Sequence, residues 1–323
     1  MAGKKPPKKT SKQQPFWEKA SGGTRKSSGK PKEKKKWQKG ASSSKPFKKA
    51  SNRKTEETPL QPDASETVRL NRFISQAGVC SRREADTLIS AGKIKVNGKV
   101  VTEMGTRIVP RQDQVHYQGK LLKAQRFAYF LLNKPKNTIT TTDDPEGRHT
   151  VMDIMASASR ERLYPVGRLD RNTTGLLMLT NDGDLSARLT HPSFGVKKVY
   201  KVRLNKPVAP EDLDRLREGV MLEDGPAQVD EVDYVADGGP DEVGVVLHIG
   251  RNRIVRRLFE HMGYQIENLD RVAFGPLTKK NLPRGKWREL SSKEVAFLKM
   301  LGTPKEKKKS SDSRPKKKPR RPK

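Results

Sequence analysis

Val166-Gly167-Arg168-Leu169-Asp170-Arg171-Asn172-Thr173-Thr174-Gly175-Leu176-Leu177-Met178-Leu179-Thr180-Asn181-Asp182-Gly183 is the stretch around which the rest of the chain arranges itself. Residues 163–166 are predicted to form an apolar strand that enters a loop carrying an Arg, an Asp and two Thr. Glycines bracket the loop, and a second apolar strand over residues 176–180 follows. A carboxylate fixed between two buried strands, with arginines on both sides, suits chemistry in which one ionised Asp must act at a set place. The same composition also fits a loop in which Asp170 merely accepts backbone N–H groups.

Downstream, Asp182 or Gly183 is predicted to open a short helix containing Leu185, Ala187 and Leu189, ended by His191 and Pro192. His191 is a general base by residue type, although a His in this position more often packs or faces the helix dipole. Residues 196–204 alternate as a strand does, with Tyr200 on the same face as Val202 and Leu204. Pro210–Glu218 reads as a helix stopped by Gly219, and strands are predicted at 227–235 and 242–249. Residues 250–259 are predicted to start a helix directly off that second strand. Ile254, Leu258 and Phe259 then face inward, Val255 partly so, and Arg256 falls near the rim. The four arginines 251, 253, 256 and 257 make a solvated or phosphate-binding face. Residues 272–275 and 287–290 and a helix over 291–301 complete this part.

Upstream, residues 127–132 form an apolar strand that Pro135 brings to an end. Asp144-Pro145-Glu146-Gly147-Arg148 is a turn-rich loop, a surface loop or an RNA contact, and residues 150–156 suggest a short helix. Order is predicted to begin at Val68. Leu70, Phe73, Ile74 and Ala77 keep a helical period to Gly78, and Ser81-Arg82-Arg83-Glu84 is a capping box opening a second helix. Residues 94–101 read as two short strands joined by an Asn97-Gly98 turn. Arg72, Arg82, Arg83, Lys93 and Lys95 lie on the outside of this small module, where guanidinium and ammonium groups can meet an RNA backbone.

The 323 residues carry a net charge of +32, which points to a polyanionic partner, nucleic acid before an anionic membrane. Residues 1–55 hold 19 Lys/Arg against 2 Asp/Glu, and residues 303–323 hold 11 against 2. Only +6 therefore belongs to residues 56–302. The two arms lack any apolar period, so they are expected to be disordered; they tether RNA non-specifically or are simply solvated. A single cysteine, Cys80, excludes an internal disulfide and any Cys-based zinc site. No apolar run reaches the roughly 18 to 20 residues of a membrane span, and no secretory signal is visible, so the chain is expected in the cytoplasm. No metal and no cofactor is expected.

The string over residues 166–183 resembles the catalytic-aspartate motif of the RNA pseudouridine synthases, in particular the ribosomal-RNA branch that carries an N-terminal S4-type RNA-binding domain. Two helices and a hairpin over about 45 residues look like that S4 domain, and Asn133-Lys134-Pro135 resembles the segment opening the catalytic domain. The run from Gly250 to Phe259 resembles the third active-site motif, although the family more often has Gln where Ile254 stands. The resemblance implies an α+β fold: a basic arm at 1–65, an S4-type domain at 67–125, a mixed, mainly antiparallel catalytic domain at 126–301 and a basic tail at 302–323. It implies Asp170 as the essential carboxylate, Arg256 as its cationic partner, Tyr200 as the ring packed on the target base and Arg168 as the side chain filling the gap that base leaves. A guanidinium within about 4–6 Å lowers a carboxylate's pKa by roughly 1–3 units. Lys134, Arg251 and Arg253 are expected to add RNA contacts. The implied reaction breaks the N-glycosidic bond of a uridine, turns the uracil while it is held, and rejoins C5 to the same ribose carbon. The Asp-Pro-Glu-Gly-Arg and His-Pro-Ser pieces look like large-subunit rRNA enzymes, so 23S rRNA or a pre-ribosomal particle is the expected partner and a monomer the expected state. The alternatives are a non-catalytic S4-domain assembly factor and a synthase acting on tRNA or small-subunit rRNA.

Overall fold

A computed structural model describes residues 67–301. The two basic arms, expected at 1–65 and 302–323, lie outside the described residues. The chain divides between Arg126 and Phe127 into two compact units.

The first unit runs β1 (Val68–Arg69), α1 (Leu70–Gln76), α2 (Arg82–Ser90), β2 (Ile94–Val96), β3 (Lys99–Val101), β4 (Arg107–Ile108), β5 (Val115–Tyr117) and β6 (Lys120–Leu121). The helical period seen in the sequence puts Leu70, Phe73 and Ile74 of α1 and Ala85 and Ile89 of α2 into one core with Ile94, Ile108 and Val115. Helix α2 begins on a complete capping box. The Ser81 hydroxyl accepts from Glu84 N–H at 3.3 Å, and the Glu84 carboxylate accepts from Ser81 N–H at 2.8 Å. Ser81→Ala removes one acceptor and costs about 1 kcal/mol, so amide exchange within α2 is expected to quicken about fivefold, as hydrogen-exchange mass spectrometry would read. Asn97 and Gly98 both take positive φ, +50° and +81°, which is the tight turn that joins β2 to β3. The sheet order is β3-β2-β5-β6, all antiparallel.

The second unit runs β7 (Tyr129–Lys134), α3 (Val151–Met155), β8 (Tyr164–Pro165), β9 (Thr174–Thr180), α4 (Gly183–Thr190), β10 (Lys198–Leu204), α5 (Pro210–Glu218), β11 (Val220–Leu222), β12 (Gly225–Ala227), β13 (Glu231–Tyr234), β14 (Glu242–Leu247), α6 (Ile254–His261), β15 (Ile266–Phe274), β16 (Leu277–Thr278), β17 (Trp287–Glu289) and α7 (Ser292–Leu301). Its main sheet has the order β13-β14-β10-β15-β9-β7-β17. Every pairing along that path is antiparallel except β15 with β9.

All of β7 and all of β9 are buried, because helices cover both faces there. Tyr129, Leu131, Leu176 and Met178 pack with Leu185 and Leu189 of α4 and Leu298 of α7. Phe130, Leu132, Leu177 and Leu179 pack on the other face with Val151 and Met155 of α3. Strands covered on both faces read as unbroken apolar runs rather than alternating ones. On the β10–β14 side, Val202, Leu204, Val243, Val245 and Leu247 meet Leu213 and Leu216 of α5 and Leu258 and Phe259 of α6.

The structure corrects four local expectations and adds one hairpin. The strand before the central motif pairs over only Tyr164–Pro165, while the strand after it starts two residues early, at Thr174. The helix expected from residue 250 begins at Ile254, because Arg253 takes a left-handed φ of +46° and residues 250–253 form a loop. Val255 is fully rather than partly buried. The hairpin β11–β12, unanticipated, occupies the connection after α5.

Candidate active site

The central motif becomes a loop that leaves β8 and feeds β9. Gly167 turns it at φ +71°. The Thr140 hydroxyl pins its middle by donating to Leu169 O at 2.8 Å, and Thr173 N–H donates to Asp170 O at 3.0 Å. Beneath it lies Lys134, which has no solvent exposure. Its Nζ donates to the carbonyls of Pro135, Thr138 and Arg171 at 3.0, 2.8 and 3.2 Å. Lys134 is thus a buried brace and not the RNA contact that was expected. Burial pushes its pKa down to about 8, against which the charge of Asp170 acts.

The loop also needs Gly175. At φ +109° a Cβ there would come within 2.3 Å of Arg271 O and 2.6 Å of Arg271 N. This close passage is where β9 meets β15 in parallel, Gly175 opposite Arg271. The neighbouring pair, Thr174 and Asp270, is tied side chain to side chain at 2.7 Å, and Lys279 and Arg284 hold the other Asp270 oxygen.

Asp170 projects at the mouth of a cleft of about 180 Å³, with 42% of its side chain exposed. Arg256, on the first turn of α6, brings Nε to 3.6 Å from its Oδ2, with only 15% of that side chain exposed. Two elements 86 residues apart in sequence therefore converge at this ion pair. Tyr200 also lines the cleft, partly buried and packed against two of the cores. It sits at a β-bulge: Tyr200 pairs with Arg271 and Val199 with Ala273, so Val272 is the extra residue. A bulge twists the strand locally and re-aims the side chains beside it.

Arg168 is exposed and lines the rim of the cleft. Arg253 lies there too, mostly exposed and 3.7 Å from Glu260. Arg251 faces the cleft but is held by the β11–β12 turn, donating to Gly225 O at 3.2 Å. Arg257 points away to Asp224 at 2.6 Å, and that guanidinium holds the Asp224 carboxyl near pKa 2. His191 lies outside the cleft lining; its ring Nδ1 sits 2.8 Å from Ser193 Oγ, capping the short turn at Pro192–Phe194. In the first unit Arg82, Arg83, Lys93 and Lys95 are exposed and Arg72 is half-buried. Asp144 and Arg148 pair with each other at 2.7 Å in their loop.

Two charged cleft residues were not anticipated, Lys198 and Arg271, 8% and 3% exposed. The signal for Lys198 was its parity with Tyr200 on β10, and for Arg271 its parity with the buried Leu269 and Ala273 on β15. Lys198 Nζ donates to His248 O at 2.6 Å. Burial first, then the charge of Arg271, pushes its pKa down to about 8, with Asp230 opposing. The unfolded chain holds that proton to about pH 10.5, so between pH 8 and 10.5 it binds more protons than the native protein and stability rises with pH. Lys198→Met should reduce this rise to the part that the buried Lys134 contributes over the same window. The check is the urea midpoint at pH 8 and pH 9.5, below the range where Tyr129, whose pKa is raised by burial and Asp182, reverses the trend.

Residues 68–115 match the S4 domain family and residues 128–261 the RNA pseudouridylate synthase family. A protein of Aquifex aeolicus named as an RNA pseudouridine synthase is 42% identical over 233 residues, covering 72% of this chain and 93% of that one. The ribosomal large subunit pseudouridine synthase B of Bacillus subtilis is 40% identical over 237 residues, 72% of this chain and 96% of its own. A crystal structure of a pseudouridylate synthase superposes with a TM-score of 0.51 at 29% identity, over 72% of this chain and 99% of that one. An S4 module ahead of a mixed, mainly antiparallel sheet defines an RNA-modifying enzyme with its own RNA-binding domain. The chain belongs to the RNA pseudouridine synthase family. Among the described residues no helix is long and apolar enough to cross a membrane.

Proposed function

We propose that this chain isomerises a specific uridine of ribosomal RNA, in the 23S molecule of the large subunit, to pseudouridine, with Asp170 as the essential carboxylate. The observation that carries this is Asp170 at the cleft mouth, half exposed and 3.6 Å from a largely buried guanidinium. A carboxylate so placed is accessible to a ribose and has a guanidinium beside it to hold it in position. Asp170 acts at the anomeric carbon or on a ribose proton, and both routes need the ionised form.

A uridine in folded RNA must leave its stack to reach such a cleft, at a cost of a few kcal/mol. Arg168 at the rim fits the gap the base leaves, and Arg253 and Arg251 offer donors to phosphates on either side. Tyr200 supplies a flat ring against the base, a contact worth about 1–3 kcal/mol. The exposed Arg82, Arg83, Lys93 and Lys95 of the S4 unit add backbone contacts that position the RNA. The large-subunit assignment rests on relatives such as that of B. subtilis, whose name specifies that substrate.

Pseudouridine mapping of 23S, 16S and transfer RNA from a strain lacking the gene tests the substrate. One 23S position should lose the modification and regain it on complementation. Loss confined to 16S or transfer RNA would overturn the large-subunit assignment, and no loss anywhere would overturn the enzymatic reading.

A further inference from the structure

Arg271 is left electrically incomplete at the back of the cleft. It is 3% exposed on β15, directly across from Tyr200. Its Nε donates to Leu176 O at 2.7 Å, and its guanidinium carbon lies 5.0 Å from the centre of the Phe274 ring. Nη2, shielded from water, meets no acceptor. A buried cation without a full set of acceptors is costly, and each one in a native structure calls for a reason, such as a catalytic role or a bound ion or water. The carboxylates nearby are otherwise engaged: Asp170 with Arg256, and Asp270 with Thr174, Lys279 and Arg284. Much of the remaining lining is apolar, including Val166, Leu189, Leu269 and Phe274. One further polar atom of the lining lacks a partner, the buried Thr173 hydroxyl. The side chains of the cleft thus leave this acceptor to its occupant.

A flipped uridine brings phosphate oxygens and two base carbonyls. The exposed rim arginines, Arg168 and Arg253, are placed for phosphate, whereas Arg271 is buried among the apolar groups that suit a base. We propose that Arg271 reads the uracil, its guanidinium turning toward the bound base to donate an unpaired N–H to the C4 carbonyl of the imide edge; this rests on the cleft being the nucleotide site argued above. The imide edge carries two carbonyls flanking N3–H. Turning the ring about the N3–C6 axis exchanges N1 with C5 and O2 with O4. A donor set against one carbonyl thus meets an oxygen both before and after the glycosidic bond moves. In cytosine the C4 oxygen is replaced by an amino donor, which would leave the buried guanidinium facing another donor.

The test is calorimetric titration of the full chain with uridine 5′-monophosphate, cytidine 5′-monophosphate and ribose 5-phosphate, beside single-turnover assays on deproteinised rRNA. The wild type should prefer the uridine nucleotide by about tenfold or more, the effect of one unpaired buried group. Arg271→Met should abolish that preference, leave ribose 5-phosphate binding unchanged and not lower the melting temperature. Arg271→Lys, which keeps a cation should the Met variant fail to fold, should narrow the preference. Equal binding of the two nucleotides by the wild type overturns the inference. So does an unchanged preference in Arg271→Lys, or a loss of ribose 5-phosphate binding in Arg271→Met, which would mark a phosphate contact. A wild type that discriminates the nucleotides but forms no pseudouridine keeps Arg271 as a uracil reader and removes the catalytic reading. Wild-type kcat and KM in Arg271→Met would do the reverse.

Discussion

Asp170→Asn is expected to lower single-turnover pseudouridine formation on deproteinised rRNA by at least about 10³-fold, roughly 4 kcal/mol of transition-state stabilisation. RNA affinity should change less than threefold. The substitution keeps the volume and removes only the charge. It leaves the fold intact because the loop is held by other groups: Thr140 on Leu169, Lys134 on Arg171, and the backbone bond from Thr173 to Asp170 O. The Asp170 side chain itself meets Arg256 and is half exposed. A loss of rate with unchanged binding is the signature of an interaction made in the transition state. Retained turnover would leave an RNA-binding scaffold, the non-catalytic alternative.

Gly175→Ala should be the most damaging single methyl in the second unit, with a loss of about 3–5 kcal/mol or failure to fold. The added carbon would lie 2.3 Å from a backbone oxygen, at a φ of +109° that alanine rarely adopts. Overpacking alone costs about 1–3 kcal/mol, and the backbone strain adds a further 1–3. The neighbour is backbone held in the sheet, so no flexible side chain can move aside. Urea denaturation of the full chain reads the effect, and a shift under about 1 kcal/mol would show that β9 and β15 can separate freely. By contrast, alanine at Gly250 meets nothing within 4 Å and should leave stability nearly unchanged.

Much of this protein was written in short-range signals. The capping box at Ser81, the turn at Asn97-Gly98, the helix Pro210–Glu218 and the paired apolar runs of β7 and β9 each depend on residues a few positions apart. The loop around Asp170 was legible for the same reason, since its glycines, threonines and flanking strands are contiguous. The start of α6 was misplaced because one left-handed residue, Arg253, interrupts a run whose composition suits a helix throughout.

The sequence by itself determined the elements, the motif and the family likeness. Tertiary structure alone decided what surrounds the carboxylate. Register between β9, β15 and β10 sets Gly175 against Arg271 and Arg271 against Tyr200, and the burial of Lys134 turns an expected RNA contact into a brace. Those relations join residues up to 96 positions apart. They arise because closing the sheet places distant backbones within one strand spacing, about 4.8 Å, a distance that no local pattern of residue types encodes.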